Sequence, residues 1–553
     1  MSTARLAGSA MLLAGALAHA QIARSDAAAG EQDGGLGHVA VQQVQAQEAP
    51  VVEDSDKSGE DDWWPAGFDH PIPEISRFRN GAGSLGFLVQ GGVSPKGHPF
   101  FEAIGSNGRA CVTCHQPAAA MSVTPHVLRE RWAKTHGRDP VFAAVDGSNC
   151  PSLPQDQAAS HSLLLEHGLF RIFLPWPPRN PDGSKIAPEF TVTVVSDPSG
   201  CNLDKTYGLK SAVPMISVFR RPRMAANLKY STGVLGRWDV KLGKVLPRDP
   251  QTGAYLNNNI LSDNRQNTLE DQAIEAAITH LQMARRPDAA TVRAIVDMER
   301  RFYVAQSADN VGGSLRDGGA QGGPEALLAG KPAVLGVIPG KPPFPEFEGW
   351  RTSKALRDLT GPSIFPRQPA PAARPDEARE SADQKAFRDS VARGYEIYAY
   401  RTFTIDDVSR LNSVGVGNPL RMSCTNCHNM QRTGMDNAPG YMDIGTANLP
   451  RQAIATPYLP VFRIQCRKDA PPHPYLGRSF LTHDLGRGLI SGKCADVGAI
   501  NMQQLRGLAA RAPYFSNGLA KSIPDVVDFY DKRFAMKLTP HEKIDLANFL
   551  RVL

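Results

Sequence analysis

Two short runs of the sequence bring together residues that can do redox or metal chemistry. Each run has the form Cys-x-x-Cys-His, in "ACVTCHQ" and "SCTNCHN", and supplies two thiols and one imidazole. The residues are Cys111, Cys114 and His115 in the first run and Cys424, Cys427 and His428 in the second. Such a run is typical of half a zinc site, of a redox-active dithiol or of the attachment site of a c-type haem.

Haem attachment uses every residue of each run. Zinc sites need four ligands, usually two such pairs at short spacing, whereas these runs lie far apart, at residues 111–115 and 424–428. A thioredoxin-like dithiol has no use for the adjacent histidine. In a haem site the thiols form thioethers and the histidine binds the iron. The sequence therefore predicts two covalently bound haem c groups, with His115 and His428 as iron ligands.

The chain that must position these runs begins with the features of a signal peptide. Residues 1–20 contain a positive charge at Arg5, then an apolar run, and they end with Ala-His-Ala at residues 18–20. This pattern is typical of export followed by cleavage, and the apolar run is too short to span a bilayer. No later segment is long and apolar enough to do so. The sequence predicts a periplasmic or secreted protein without a membrane span.

Composition and cysteine usage agree with an exported globular protein. Hydrophobic residues make up 41% of the chain and charged residues 21%, and the net charge of +6 is spread without blocks of Lys or Arg. Nothing in this pattern indicates a nucleic-acid partner. Of the eight cysteines, four lie outside the two runs, as the neighbouring pairs Cys150 with Cys201 and Cys466 with Cys494. Because free thiols rarely persist in an oxidising compartment, we expect a disulfide within each pair.

Composition shifts divide the chain into predicted regions. An acidic segment without aromatic residues before Trp63 predicts disorder, and a run rich in Pro, Ala and charge predicts a linker. The regions are the signal peptide (1–20), an acidic leader (21–62), an N-terminal c-type haem domain with insertions (63–365), the linker (366–384) and a C-terminal c-type haem domain (385–553).

Helical patterns in the C-terminal region favour a mainly α fold of two cytochrome c-like haem domains with long loops and insertions. One apolar stripe with helical spacing comprises Phe387, Val391, Tyr395 and Ile397. In "LTPHEKIDLANFL", Thr539 can cap a final helix and Glu542 can complete its capping box. The predicted buried face of that helix comprises Ile544, Ala547, Leu550 and Leu553.

The C-terminal third, with "LRGLAARAPYFSNG", "SIPDVVDFYDKRF" and "LTPHEKIDLANFL", resembles the bacterial diheme cytochrome c peroxidase superfamily, which includes MauG-type enzymes. Together with the haem runs, the resemblance covers most of residues 80–125 and 385–553. It implies that the N-terminal haem reacts with hydrogen peroxide or dioxygen while the C-terminal haem relays electrons. It also nominates Trp238, in "GRWDV", as a bridge between the haems; a core tryptophan is the alternative. A calcium ion and a homodimer occur in many relatives, and the sequence decides neither.

The peroxide pocket of that family carries a Gln, a Pro four residues later and a Glu six residues after that. In "TLEDQAIEAAITHLQM" the matching residues are Gln272, Ala276 and Gln282. Because an amide cannot shuttle a proton as a carboxylate can, either peroxide turnover is weakened or another group substitutes. His280 is the candidate acid–base group or distal ligand, and a solvent-facing histidine is the alternative.

The relay haem of the family has a sixth ligand near the end of the chain. It is a Met in the peroxidases and a Tyr in MauG-type enzymes, and Tyr530 lies at about the matching position. A phenolate favours ferric and higher oxidation states, whereas a thioether favours ferrous iron. Met536 is the rival ligand.

Three functions remain open from the sequence. The first is an exported diheme oxidoreductase that reduces hydrogen peroxide or uses it to oxidise a partner, with electrons from a small redox protein or another donor. The second is a haem-dependent dioxygenase of the polyisoprenoid-cleaving type, and the third is a non-enzymatic electron carrier. A polar pocket at the His115 haem favours peroxide chemistry, an apolar pocket favours dioxygen chemistry, and two strong side-chain ligands favour a carrier.

Overall fold

The structure, a computed structural model, describes residues 62–232, 260–332, 341–357, 359, 361–363, 369–409, 418–436, 441–449 and 455–553, together with the backbone of 237–239 and 244–246. The predicted signal peptide and residues 21–61 of the predicted leader lie outside the described residues. The first described tryptophans, Trp63 and Trp64, are buried. Among the described residues, no helix is long and apolar enough to cross a membrane.

Helices lie along the whole described chain. They are α1 (Pro125–Thr135), α2 (Ser162–His167), α3 (Leu228–Ser231), α4 (Leu269–Thr279), α5 (Ala289–Glu299), α6 (Pro324–Ala329), α7 (Ala382–Tyr400), α8 (Gly488–Ser491), α9 (Ile523–Phe534) and α10 (Pro540–Arg551).

Strands lie between the helices. They are β1 (Ile75–Asn80), β2 (Gly83–Val89), β3 (Phe170–Pro175), β4 (Phe190–Ser196), β5 (Met215–Arg220), β6 (Arg237–Asp239), β7 (Lys244–Leu246), β8 (Phe302–Asp309), β9 (Gly313–Ser314), β10 (Phe403–Ile405), β11 (Leu420–Met422), β12 (Tyr441–Met442), β13 (Asn448–Leu449), β14 (Val461–Cys466), β15 (Ser479–Thr482) and β16 (Ile500–Asn501). Two four-stranded sheets have the orders β1-β2-β8-β9 and β13-β15-β14-β4.

The prediction of a mainly α fold is wrong. Among the residues that the structure describes, about 30% are helical and about 18% lie in strands, which makes the fold mixed α and β. The strands come largely from segments that were expected to be insertions and loops. β4 reads "FTVTVVS" and β14 reads "VFRIQC", and both are rich in the β-branched or aromatic residues that favour a pleated, half-buried surface. The prediction of a mainly α fold rests on helical patterns in the C-terminal region and includes neither of these strands.

One sheet joins parts of the chain that are distant in sequence. β4 pairs antiparallel with β14, so that Val192 faces Ile464 and Phe190 faces Cys466. Phe190, Phe462 and Ile464 are buried in the hydrophobic cluster under this sheet. The sheet therefore connects the segment after the first Cys-x-x-Cys-His run to the segment after the second.

The helical predictions for the C-terminal region are confirmed for α7 and for the start of α10. The α7 residues Phe387, Val391, Tyr395 and Ile397 are all buried. Thr539 accepts a hydrogen bond from the Glu542 amide, and the Glu542 carboxylate accepts one from the Thr539 amide at 2.9 Å. These reciprocal bonds form the predicted capping box.

The buried face of α10 is rotated from the prediction. Leu546, Phe549 and Leu550 are buried, whereas Ile544 and Ala547 are only half-buried. The rotation follows from close packing on α7, where a Cβ atom at Gly394 would lie 2.0 Å from the Asp545 carbonyl oxygen. Glycine at residue 394 lets the two helices approach this closely.

Both predicted disulfides are present. Cys150 is bonded to Cys201 and Cys466 to Cys494, with Cα–Cα distances of 5.1 and 5.9 Å. The second disulfide joins β14 to the short turn that follows α8. The prediction by elimination is confirmed for all four cysteines outside the Cys-x-x-Cys-His runs.

Candidate functional site

The two Cys-x-x-Cys-His runs fold in the same way. Each begins with a single turn of 3₁₀ helix, Cys111–Thr113 in one and Cys424–Asn426 in the other. The histidine that follows turns its Nδ1 toward a carbonyl oxygen six residues later. His115 Nδ1 lies 3.0 Å from the Met121 oxygen, and His428 Nδ1 lies 2.8 Å from the Gly434 oxygen. The second run thus repeats the local geometry of the first.

These hydrogen bonds determine which histidine nitrogen is free. A carbonyl oxygen only accepts hydrogen bonds, so Nδ1 carries the proton in each ring. Burial lowers the pKa of both His115 and His428, which keeps the rings neutral. A neutral imidazole with its proton on Nδ1 presents an unprotonated Nε2, the nitrogen that suits a metal.

The four thiols of the runs are not joined in disulfides. Burial raises the pKa of Cys114, Cys424 and Cys427 to about 12, and burial also raises that of Cys111. Reactive dithiols have the opposite property, because a lowered pKa produces the nucleophilic thiolate. The thiols of both runs are therefore held in the protonated form.

Each run lines a large cavity. The first-run cavity, which contains Cys111, Cys114 and His115 in its wall, has an empty volume of about 1470 Å³ including its open mouth. The second-run cavity, lined by Cys424, Cys427 and His428, has about 1520 Å³ on the same measure. The two cavities are thus similar in size, and each is walled on one side by a Cys-x-x-Cys-His run.

One face of α4 contributes to the first-run cavity. Gln272, Ala276 and His280 line it at intervals of four residues, with His280 directly after the helix end. Residues four apart lie on the same side of a helix. The side chains of Gln272 and His280, two predicted site residues, are thus brought to the cavity that holds His115.

His280 is held by a buried carboxylate. Its Nδ1 lies 2.5 Å from Asp146 Oδ2, and its side chain is 32% exposed. Asp146 also forms an ion pair with the buried Arg109, whose Nε and Nη2 donate to the Pro140 and Val141 carbonyl oxygens at 2.7 Å. Burial alone would raise the pKa of Asp146, but Arg109 and His280 outweigh it and lower the pKa. Asp146 is therefore an anion that orients the imidazole.

Gln282 is not brought to this cavity. Helix α4 ends at Thr279, so residue 282 lies beyond the face that Gln272 and His280 share. Its side chain is exposed, and its carbonyl oxygen accepts a hydrogen bond from Ser106 Oγ at 3.0 Å. Trp238 lies in β6, where only the backbone is described, so its predicted bridging side chain lies outside the described residues.

Two residues of the first-run cavity were missed by the sequence prediction. Asp146 comes from a loop and has no sequence signal. Glu299 comes from the end of α5, lines the cavity and is 5% exposed, and its Oε2 has no hydrogen-bond partner. Burial raises its pKa to about 8. Its signal was available, because Glu299 continues the apolar stripe of Val292 and Ile295 with helical spacing.

The second-run cavity is mainly apolar and contains both candidate sixth ligands. The Tyr530 hydroxyl, on α9, lies 3.4 Å from His428 Nε2, and Met536 lines the same cavity after the helix end. Burial raises the pKa of the Tyr530 phenol, and the nearby Cys427 and Cys424 raise it further. The 3.4 Å distance shows that the hydroxyl oxygen of Tyr530, rather than an edge of its ring, faces His428 Nε2.

Comparisons with protein-family models, with curated proteins and with solved structures found no match. Within the part of the chain that the structure describes, no group of three or more His, Cys, Asp or Glu side chains is arranged to hold a metal ion. The calcium ion and the homodimer implied by the resemblance stay predictions.

Proposed function

We propose that this protein is an exported diheme c-type cytochrome that reduces hydrogen peroxide, or uses it to oxidise a partner, in the first-run cavity. The observation that carries the proposal is the polar group set there, Gln272 and the hydrogen-bonded pair His280 and Asp146. Within a lining that is otherwise largely apolar, these groups can hold peroxide and move its protons, and they favour peroxide over dioxygen chemistry. Export is supported by the two disulfides, which persist in oxidising compartments.

The chemistry of the two runs supports covalently bound haem over the other interpretations. Thiols whose pKa is raised by burial are poor redox nucleophiles, yet they can form the thioethers of a c-type haem. Each run presents an unprotonated His Nε2 to a cavity that its two cysteines also line. When bound, the haems would supply the redox-active iron that peroxide reduction requires.

The residues of the first-run cavity can perform the proton steps of that reaction. Reduction of hydrogen peroxide to two waters consumes two electrons and two protons. His280 can accept a proton at Nε2 and return it, because Asp146 fixes the proton of Nδ1 and stabilises the imidazolium that forms. Gln272 can orient the peroxide by hydrogen bonding, but its amide cannot carry a proton. His280 thus substitutes for the carboxylate that the family has in its peroxide pocket.

The second-run cavity suits the electron-relay site. His428 Nε2 and the Tyr530 hydroxyl face each other at 3.4 Å, so these two side chains would hold the second haem iron. An anionic phenolate would favour oxidised iron and would help to store oxidising equivalents. Electrons would come from a small redox protein or another donor at this site.

The deciding experiment adds about one equivalent of hydrogen peroxide to the purified ferric holoprotein. We expect the paramagnetic resonance signals and the absorption bands of both haems to change together within seconds. Unchanged spectra, with a dioxygen adduct of the ferrous protein, would support the dioxygenase instead. Unchanged spectra with both irons held by two strong ligands would support an electron carrier.

A further inference from the structure

The two cavities share one wall. Arg221, Pro222, Gln503 and Gln504 line both of them. The wall consists of the chain that follows β5 and the chain that follows β16, and hydrogen bonds join the two segments. Gln504 Nε2 donates to the Ala226 oxygen at 2.7 Å, and Arg223 donates to the Asn501 and Met502 oxygens at 3.2 and 2.7 Å.

Two arginines of this wall differ from the cavity arginines that form ion pairs, which are Arg109, Arg220 and Arg265. Arg223 lines the first-run cavity and Arg511 lines the second-run cavity. Arg223 donates to backbone carbonyl oxygens, and Arg511 does the same toward Arg506 (3.1 Å) and Gln504. Among the described residues, no carboxylate lies within salt-bridge distance of either side chain.

Two neighbouring arginines, in contrast, have their charges compensated by carboxylates. Arg220 is bound by Asp263 and Asp484, each at 2.6 Å, and Arg265 is bound by Asp263 at 2.8 Å and Glu275 at 2.6 Å. Asp263, Asp484 and Glu275 are thus already engaged in ion pairs with other arginines.

The charges of Arg223 and Arg511 are costly as the protein stands. Burial lowers the pKa of both to about 10; for Arg223 the positive charge of Arg511 lowers the pKa further, and the negative charge of Asp263 opposes this in part. Removing a charge from water without a directly bound counter-charge is energetically costly, and an anion bound in each cavity would relieve that cost.

We propose that Arg223 and Arg511 are carboxylate-binding residues that receive propionate groups of the two haems, one from each cavity. The inference rests on the proposed function, since the haems bring these carboxylates. A planar guanidinium holds a carboxylate by two parallel hydrogen bonds, and a charge-assisted pair in a low-dielectric wall is strong. The same wall segments anchor both arginines, through Met502 for Arg223 and Gln504 for Arg511, so the wall connects the two haem sites electrostatically.

The test measures the reduction equilibrium of each haem in the full-length holoprotein, by redox titration followed through haem absorption. A cation beside a haem favours its reduced state, which carries one more negative charge. We expect Arg223→Gln to shift the first-run haem toward the ferric state by at least tenfold, or about 59 mV for one electron. We expect Arg511→Gln to do the same at the second-run haem. Arg223→Lys should keep the potential of the first-run haem close to the wild-type value, because lysine keeps the positive charge.

Arg138→Gln is the matched control, because this exposed arginine makes the same charge change away from the wall. Absence of covalent haem in the wild-type protein would overturn the proposed function itself. If haem is present in every variant and the midpoint potentials of the Arg223 and Arg511 variants equal that of the Arg138 control, only the carboxylate site is overturned.

An experimental structure of the wild-type holoprotein tests the site without any substitution. We expect propionate oxygens within hydrogen-bond distance of the Arg223 and Arg511 guanidiniums. Propionates directed to solvent, with chloride or a buffer anion on the arginines, would show an anion site of another kind and would overturn the inference.

Discussion

At the scale of single residues, His280 depends on two partners from distant parts of the chain. Asp146 orients its imidazole, and Arg109 keeps Asp146 ionised. Each residue alone has an ordinary structural interpretation. Together they leave one imidazole nitrogen available for proton transfer in the first-run cavity, which is the arrangement that a peroxide-reducing site requires.

Substitution of His280 tests this arrangement directly. We expect His280→Gln to slow the reaction with hydrogen peroxide by roughly 10²–10⁴-fold, the usual contribution of a positioned acid–base group, while haem attachment is unchanged. Stopped-flow absorption measures the rate. Gln282→Ala is the control, because Gln282 is exposed outside the cavity; equal rates for the two variants would contradict the role of His280.

Tyr530 and Met536 are alternative candidates for the sixth ligand of the second haem iron, and substituting each one distinguishes them. If Tyr530 binds the second iron, Tyr530→Phe should change the ferric paramagnetic resonance spectrum and raise the midpoint potential of that haem, because an anionic donor that favours ferric iron is lost. Met536→Leu should leave both properties close to wild type. The reverse pattern would identify Met536 as the ligand.

Glu299 should make stability fall as pH rises. Burial raises its pKa from 4.5 to about 8, so the folded state holds a proton that the unfolded state has already released. The contribution of protonated Glu299 to the free energy of unfolding is fully present below about pH 4.5 and is lost as pH rises through about 8. Relative to Glu299→Gln, we expect the wild-type free energy of unfolding to fall by about 1.4 kcal/mol per pH unit across this range. Denaturant titrations at several pH values measure it, and parallel pH profiles would contradict it.

At the scale of elements, the packing of α10 against α7 forms much of the C-terminal core, and the capping box fixes where α10 begins. We expect Thr539→Ala to lower the free energy of unfolding by about 0.5–2 kcal/mol, because the Glu542 amide loses its side-chain acceptor. Thr539→Ser keeps the hydroxyl and should lose little. Urea unfolding of the three proteins measures the difference, and equal losses in both variants would show that the methyl group matters instead of the cap.

At the scale of the whole molecule, buried ion pairs join the two halves of the sequence. Arg220, at the end of β5, is bound at Nε and Nη2 by both oxygens of Asp484, which follows β15. Their side chains are only 2% and 5% exposed. The pair is therefore desolvated, and breaking it leaves a buried charge.

Asp484→Asn should therefore destabilise the fold by about 3–5 kcal/mol, the usual effect of removing one partner of a buried pair. Asp469→Asn removes a carboxylate from an exposed pair with Arg467, and we expect no measurable change there. Thermal or denaturant unfolding compares the two variants. Similar stabilities would mean that Asp263 alone compensates Arg220.

Local features were readable from the sequence because their physical causes span a few residues. The α10 cap depends on residues three apart, and the α7 stripe depends on helical spacing. The disulfide pairs followed from counting, since only four cysteines lay outside those runs.

The sheet order, and with it the mixed α and β class, was decided only by tertiary structure. β4 and β14 pair across a separation that no local pattern encodes. The same holds for Asp146 beside His280, and for the wall that carries Arg223 and Arg511. These groups meet only when distant loops close on each other, and the free energy that selects such a closure comes from burial of the whole core rather than from any short segment.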